Sequence, residues 1–462
     1  MGIGYAPSVS EAPYDEAFEE DRSPRPHYAE LLRQLDPERA AAELKRRLSE
    51  RSVTFGASSD GMFALDPVPR LLTGGEWAEL QVGIEQRLRA MEAFVADVYG
   101  DGRVFAAGVI ERELVEGSPH YEPAMRGAEP PRWVSIAGLD VVRTPDGRFV
   151  VIEDQLRMPS GLAYAVVARE LMGGLLPQEP PGGDLPLAFG ELGSALQDAA
   201  PSGVDDPQLV TLCEGPEAAA WWEHERMARE LCAPAVTLAD LEHRDGRLVA
   251  WLDGRVRAVD VVYHRTDEDR FTGPDGRATA LGQALLGPCS RGTLTCVNAP
   301  GSGIADDKLV HAYVDELVRF YLGEEPRLPS IPSYALGDEA AREQAMGRLD
   351  ELVLKPRGEM GGEGVVLWRE AGDETREQTL AAIERDPGGF VAQERVTLSL
   401  HPTVIDGALE PRHVDFRPYA LMAGGGVHVL EGGLSRVALE RGSMVVNSGQ
   451  GGGAKDTWVP GG

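Results

Sequence analysis

Cysteine is scarce in this chain: four residues in 462, Cys213, Cys232, Cys289 and Cys296, with no Cys-x-x-Cys pair. That excludes a disulfide framework and the common zinc spacings, and it suits a reducing compartment. Long apolar runs are missing too, since no stretch approaches the roughly 18 residues of a membrane span. Residues 1–30 are acidic and carry no apolar core, so no signal peptide is expected, and the reading is of a soluble, cytoplasmic protein. Basic residues fall short of acidic ones, 45 Lys plus Arg against 75 Asp plus Glu, for a formal charge of −30. Such a surface repels nucleic acid and anionic membranes, so neither is an expected partner. No Gly-x-Ser-x-Gly elbow and no His-Glu-x-x-His occur, which removes the serine-hydrolase and zinc-peptidase readings.

What is present is ample apolar material, 42% of the chain, enough for two or three domains at this length. Residues 28–48 suggest helix broken at Asp36-Pro37. From about Glu76 to Tyr99, Leu80, Ile84, Leu88, Met91, Val95 and Val98 recur at steps of three and four, the mark of one helical face. The segment RVFAAGVI from Arg103 reads as a short strand. RWVSIAGLDVVRTPDGRFVVIED reads as two strands joined at Pro145-Asp146-Gly147. Residues 173–208 are rich in Pro and Gly and mark a boundary or long loop. Strand, helix and strand then follow one another through residues 208–265, as in a small α/β unit with a parallel sheet. A helix is expected over Asp307–Tyr321, and the last 60 residues read as antiparallel strands.

Four segments carry residues suited to chemistry. A strand delivers Lys355-Pro356 to a loop holding Gly358, Gly361, Gly362 and Gly364, whose backbone N–H groups can approach a phosphate closely. The lysine precedes the glycines and strands flank the loop, so this is no Walker A motif; an ordinary Gly-rich hairpin fits equally well. On the hairpin, Asp140 falls beside Glu153, and Gln155 shares the Glu153 face. Two carboxylates and an amide oxygen on one face suit Mg²⁺, with Arg157 placed for a phosphate or carboxylate; a solvated sheet face carries such residues too. Gln393 and Glu394 lie in the strand VAQERV. His413, Asp415 and Arg417 alternate along another strand and share a face, as a functional or a structural cluster would.

Taken together these residues resemble the ATP-grasp superfamily, exemplified by D-alanine–D-alanine ligase. Its members carry a Lys-Pro strand, a Gly-rich flap, a Glu-containing hinge and a terminal Glu-x-Asn-x-x-Pro-Gly metal motif. Here EDQLRMPSG looks like that last motif yet precedes the Lys-Pro strand by about 200 residues, the order a circular permutation produces. SPHYEPAMRG, IAGLDVVR, NAPGSGIADDK, HPTVIDGALEPRHVDFRPYAL and GGLSRVAL, in that order, are similar to the circularly permuted type 2 ATP-grasp family; glutathionylspermidine synthase is a more distant permuted relative. Gln155 stands where that family usually has Asn, and Met158 where Thr is common.

The resemblance implies an α/β fold, a circularly permuted ATP-grasp with an inserted small α/β domain. Its segments would be a polar helical arm (1–50), a permuted C-lobe segment with the metal motif (51–205), the small α/β domain (206–303), the N-lobe with the Gly-rich loop (304–396), and a return to the C-lobe (397–462). It implies ATP contacts from Lys308, Lys355 and the 358–364 loop acting as a lid, a hinge at Gln393 and Glu394, and Mg²⁺ on Asp140, Glu153 and Gln155. Arg157 and Arg417 become candidates for gripping the γ-phosphate or an acyl intermediate. Arg70, Asn447 and Lys455 become candidates for binding substrate. The implied reaction joins a small-molecule or peptide carboxylate to an amine through an acylphosphate. An ATP-dependent kinase and a nucleotide-binding scaffold are the other readings of the same residues.

Overall fold

The computed structural model describes residues 12–56, 61–181, 183–266, 270–358 and 364–460. The strands that matter for the site are β1 (Ile136–Arg143), β2 (Phe149–Gln155), β3 (Leu352–Pro356), β4 (Phe390–Glu394), β5 (Ala408–Arg417), β6 (Tyr419–Ala423), β7 (Gly433–Val437) and β8 (Gly453–Trp458). The helices are α1 (Gly74–Tyr99), α2 (Leu162–Met172) and α3 (Trp221–Glu230).

A nine-stranded sheet dominates. Its main path runs Arg70–Leu71, β8, β7, β5, β1, β6 and Gly426–Val429, with β2 paired to β1 and Leu400–Ile405 paired to β5. All pairs are antiparallel except the edge pair of Arg70–Leu71 with β8. Strands from residues 136–155 and from beyond residue 400 therefore share one sheet. A second, antiparallel sheet orders Ser333–Ala335, β4, β3 and Val366–Leu367. It has its own apolar core of Leu336, Leu352, Leu354, Trp368, Ile383 and Ala392. The parallel sheet foreseen downstream of residue 208 orders Thr295–Val297, Val261–His264, Leu209–Leu212 and Ala235–Val236.

Helix α1 forms where the apolar period places it. Thr73 and Glu76 close a capping box at its start, Thr73 Oγ1 accepting from Glu76 N (3.3 Å) and Glu76 Oε2 from Thr73 N (2.8 Å). Its apolar face joins one continuous core with Val210, Leu212, Val262 and Leu281 of the parallel-sheet unit, so α1 ties the two layers together. Thr73→Ala is expected to lower stability by about 1 kcal/mol, read as an earlier denaturant midpoint at unchanged slope.

Three expectations are corrected. RVFAAGVI is no strand: the Asp97 carboxylate accepts from the N–H groups of Arg103 (2.9 Å) and Val104 (2.8 Å), which starts the helical turn Arg103–Ala106. The helix over Asp307–Tyr321 is two pieces, Lys308–His311 and Val314–Leu322, the first capped by the Asp307 side chain. The 173–208 stretch holds a helix, Ala188–Asp198, whose Leu192, Ala195 and Leu196 are buried.

Candidate active site

The Pro145-Asp146-Gly147 turn closes the β1–β2 hairpin, with Gly147 in the left-handed region at φ 84°. The register sets Asp140 directly opposite Glu153 and Gly138 opposite Gln155, with an irregularity just after Asp140. Side chains of Asp140, Glu153 and Gln155 consequently line one cavity of about 560 Å³. Asp154, on the alternate face, turns into the core instead and pairs with Arg87 and His311.

The second sheet supplies the opposite wall. Lys355 on β3 donates to Gln393 Oε1 on β4 (2.6 Å), and Gln393 in turn donates to Ile152 O (3.2 Å) and Ser333 Oγ (3.1 Å). Lys308 Nζ lies 3.3 Å from Glu153 Oε1. Burial lowers the Lys355 pKa, Glu153 opposes that fall, and the second cation at Lys308 adds to it. A buried lysine whose hydrogen bond goes to a neutral amide is ready for an anion. Glu394 lines the cavity but is held by Arg348 (3.0 Å) and by the Tyr334 hydroxyl (2.7 Å).

Asp140 is buried and engaged on both oxygens. Arg417 donates through Nε (2.7 Å) and Nη2 (2.9 Å), and Arg436 Nη2 lies 2.8 Å away and also pairs with Asp415. Burial alone would raise the Asp140 carboxyl; Arg417 and Arg436 outweigh it and hold the group below the ordinary carboxylate range. Of the three expected Mg²⁺ ligands, Glu153 and Gln155 thus offer the more accessible oxygens, and Asp140 fixes two guanidinium groups beside them. Among the described residues no three His, Cys, Asp or Glu side chains form a metal cluster.

Arg157 spans two buried groups. Its Nε donates to Asp306 Oδ2 (2.8 Å), and its Nη1 lies 2.9 Å from His120 Nε2. Burial pushes the Asp306 carboxyl up to about 6 against the pull of Arg157. Burial, then Arg157, Arg270, Lys308 and Arg357, push His120 far down, so its imidazole is neutral. Gly303 leaves room for this arrangement: a Cβ there would meet Arg157 Cδ at 2.6 Å and His120 Cβ at 2.7 Å.

The remaining expected site residues divide. Asn447 reaches the cavity, its side chain accepting from Gly449 N (2.8 Å). Arg70 and Lys455 do not. Arg70 is fully buried against Glu16 (2.5 Å) and Asp415 O (3.2 Å), and Lys455 is fully buried against Asp66 and Pro402 O (3.1 Å). Both tie the sheet edge to preceding segments of the chain, where no substrate can reach them. Of the alternating trio on β5, Asp415 and Arg417 line the cavity, while His413 Nδ1 pairs with Leu398 O (2.7 Å) and does not. Gly358 accepts weakly from Arg270 (3.5 Å), and Gly364 sits at φ 67° against the Pro356 ring. Gly361 and Gly362 lie outside the described residues. The sequence reading missed Arg436, Asp306 and His120 as site residues, although each falls within a segment carrying the family resemblance.

Residues 69–438 match the model of the circularly permuted type 2 ATP-grasp family. The chain belongs to that family. Of two relatives, one is named for a ligase and the other is uncharacterized. A Frankia alni protein provisionally named glutamate–cysteine ligase 2-3 is 40% identical, aligning with 99% of this chain and 56% of its own length. An uncharacterized Synechocystis protein is 37% identical over 96% of both chains. This chain therefore spans about half the length of the first relative and nearly all of the second. Among solved structures, a glutathione synthetase-like effector of Globodera pallida in its apo form superposes with a TM-score of 0.60, covering 92% of this chain and 96% of that one at 12% identity. At that identity the likeness concerns the ATP-grasp fold alone. No helix among the described residues is long and apolar enough to cross a membrane.

Proposed function

We propose that this ATP-grasp protein is an ATP-dependent ligase that joins a carboxylate to an amine through an acylphosphate. The observation that carries the reading is the meeting of Lys308, Lys355, Glu153 and Gln155 in one cavity with the guanidinium groups of Arg157 and Arg417. Asp140, which holds Arg417 in this cavity, lies 277 positions before it in the chain, and the fold brings the two together.

Each side chain then has a task. Lys355 and Lys308 neutralise phosphate oxygens, and Gln393 aims the Lys355 ammonium. Glu153 and Gln155 would hold magnesium, which supplies charge screening across the phosphates. Arg417, locked by Asp140, and Arg157, locked by Asp306, present N–H groups to the transferring phosphoryl group and to the acyl oxygen. Preorganised donors of this kind favour the charge that develops in the transition state. Attack of the substrate carboxylate on the γ-phosphorus releases ADP and leaves an acylphosphate. The amine then displaces phosphate as the new C–N bond forms, and its proton leaves to solvent.

Incubation with Mg·ATP and mixed carboxylate and amine pools, read by phosphate release and by mass, tests the reading. Amide product with one ADP and one phosphate per bond supports it. A phosphorylated product without amide would replace it with a kinase, and bound nucleotide with no turnover would replace it with a scaffold.

Turnover should also fall as pH drops below about 6, where Asp306 takes up a proton and Arg157 loses its counter-charge. Asp306→Asn should give a low rate with that acid limb flattened, in a pH profile from about 5 to 8. The stability effect has the opposite sign. The folded chain holds the Asp306 proton more tightly than the unfolded chain, so the group's contribution declines as pH rises from the ordinary carboxylate range to about 6.

A further inference from the structure

The cavity extends beyond the phosphate-facing residues to a wall of different character. Phe63 stacks on Tyr164 with ring centroids 4.5 Å apart, and Phe55 meets the Tyr164 edge at 5.7 Å. Phe55, Phe63 and Tyr164 line the cavity together with Ala219 and Ala220, which lead into α3. Glu223 and His224 from the first turn of α3, and Arg265, line the cavity as well.

The charges at this end are already matched. Glu223 is fully buried and accepts from Gly161 N (2.9 Å) and Ala163 N (3.0 Å) at the start of α2, with Arg265 Nη2 3.4 Å away. Arg265 also donates to Pro159 O (2.8 Å). With Glu223 set against Arg265, this end carries no net charge of its own, so the wall does not suit a highly charged group. Two buried atoms here make no hydrogen bond, Nδ1 of His224 and Nε of Arg265. Burial and the neighbouring Arg265 push the His224 pKa down to about 3, which leaves a neutral imidazole able to exchange one hydrogen bond with a ligand.

An aromatic wall, small residues facing it and one unpaired imidazole describe a seat for an apolar side chain carrying an uncharged nitrogen. We propose that the end of the cavity walled by Phe55, Phe63 and Tyr164 holds the amine substrate, that this amine bears an aromatic or branched aliphatic side chain, and that His224 is its hydrogen-bond partner. This rests on the ligase reading above and names the class of acceptor for it. A neutral imidazole keeps one N–H, which can donate to the lone pair of a free-base amine, and the free base is the form that attacks an acylphosphate. Attack forms the C–N bond, breaks the C–O bond to phosphate and sheds one proton to solvent, so no further reactant is needed.

The test is a thermal-shift titration of the full chain, first with Mg·ADP and then with L-phenylalaninamide, L-leucinamide or glycinamide added at saturating Mg·ADP. L-Phenylalaninamide and L-leucinamide should each give a further saturable rise of about 2 °C or more, with glycinamide giving none. Ala219→Phe, which fills the seat from a solvent-accessible position, should abolish that further rise and keep the Mg·ADP response. His224→Phe loses no hydrogen bond present in the free protein, and it should weaken phenylalaninamide binding about tenfold. Equal responses to all three amines, or none, would overturn the inference while the Mg·ADP response preserves the ligase reading. Loss of the Mg·ADP response in Ala219→Phe would put the nucleotide base against these aromatics and overturn it as well. No Mg·ADP response in the wild type would remove both.

Discussion

Lys355→Met is expected to cut sharply the rise in melting temperature that Mg·ATP should produce in the wild type. The lysine is buried, and its one hydrogen bond goes to the neutral Gln393 amide. Its charge is therefore carried into the cavity with Glu153 and, less strongly, Asp140 in compensation and Lys308 opposing them, an arrangement that a bound polyphosphate would relieve. Removing a charge-assisted contact of this kind costs about 1.5–3 kcal/mol of binding, or roughly tenfold to over a hundredfold in Kd. Wild type held at 100 times its Kd gains about 2.7 kcal/mol, so the variant's shift at the same concentration falls to roughly half of that or less. Glu153→Gln should behave differently, losing the dependence on magnesium while keeping part of the response to nucleotide. The discriminating measurement is a titration of each protein with ATP in Mg²⁺ and in chelator. An undiminished shift in Lys355→Met would remove Lys355 from the phosphate site.

The second large effect lies on the other face of β2. Asp154 accepts from Arg87 Nε (2.5 Å) and Nη2 (2.8 Å), and His311 Nδ1 lies 2.7 Å away, all fully enclosed. Burial would raise the Asp154 carboxyl, but Arg87 and then His311 hold it far below the usual range. Asp154→Asn leaves the buried Arg87 guanidinium with only the looser Asp315, 3.8 Å from Nη1, as counter-charge, at about 3 kcal/mol. The double variant Arg87→Met with Asp154→Leu should recover much of that loss, because it removes both charges together. Calorimetry of the three proteins measures this. The wild-type contribution is complete above the ordinary carboxylate range and is lost as pH falls through it toward the folded-state value, so acid unfolding should come earlier than in the double variant.

The parts of this site legible in the sequence are those that depend on local geometry. A two-residue strand period put Glu153 and Gln155 on one face, and a turn signal set Asp140 across from Glu153. The same alternation could not say which face meets the cavity, since that is decided by partners far away. Arg70 and Lys455 show this: their fates are set by Glu16 and Asp66, which no short-range pattern connects to them. Arg436 stayed hidden for the same reason, its role appearing only once β7 lies beside β5. At Arg103 a local rule failed against another local rule, an apolar strand-like run losing to the hydrogen bonds offered by Asp97.

The permuted sheet sets a timetable for synthesis. Strand β1 finds its neighbours in β5 and β6, residues that the ribosome delivers more than 260 positions later. Until then the β1–β2 hairpin can form but its flanks stay open, and Asp140 is without the two guanidinium groups it is built to hold. Closing so long a loop is slow, and exposed strand edges invite wrong pairings in the interval. A nascent chain stalled near residue 400 should thus be sensitive to protease across residues 136–155, and gain protection there only once the final 60 residues have emerged.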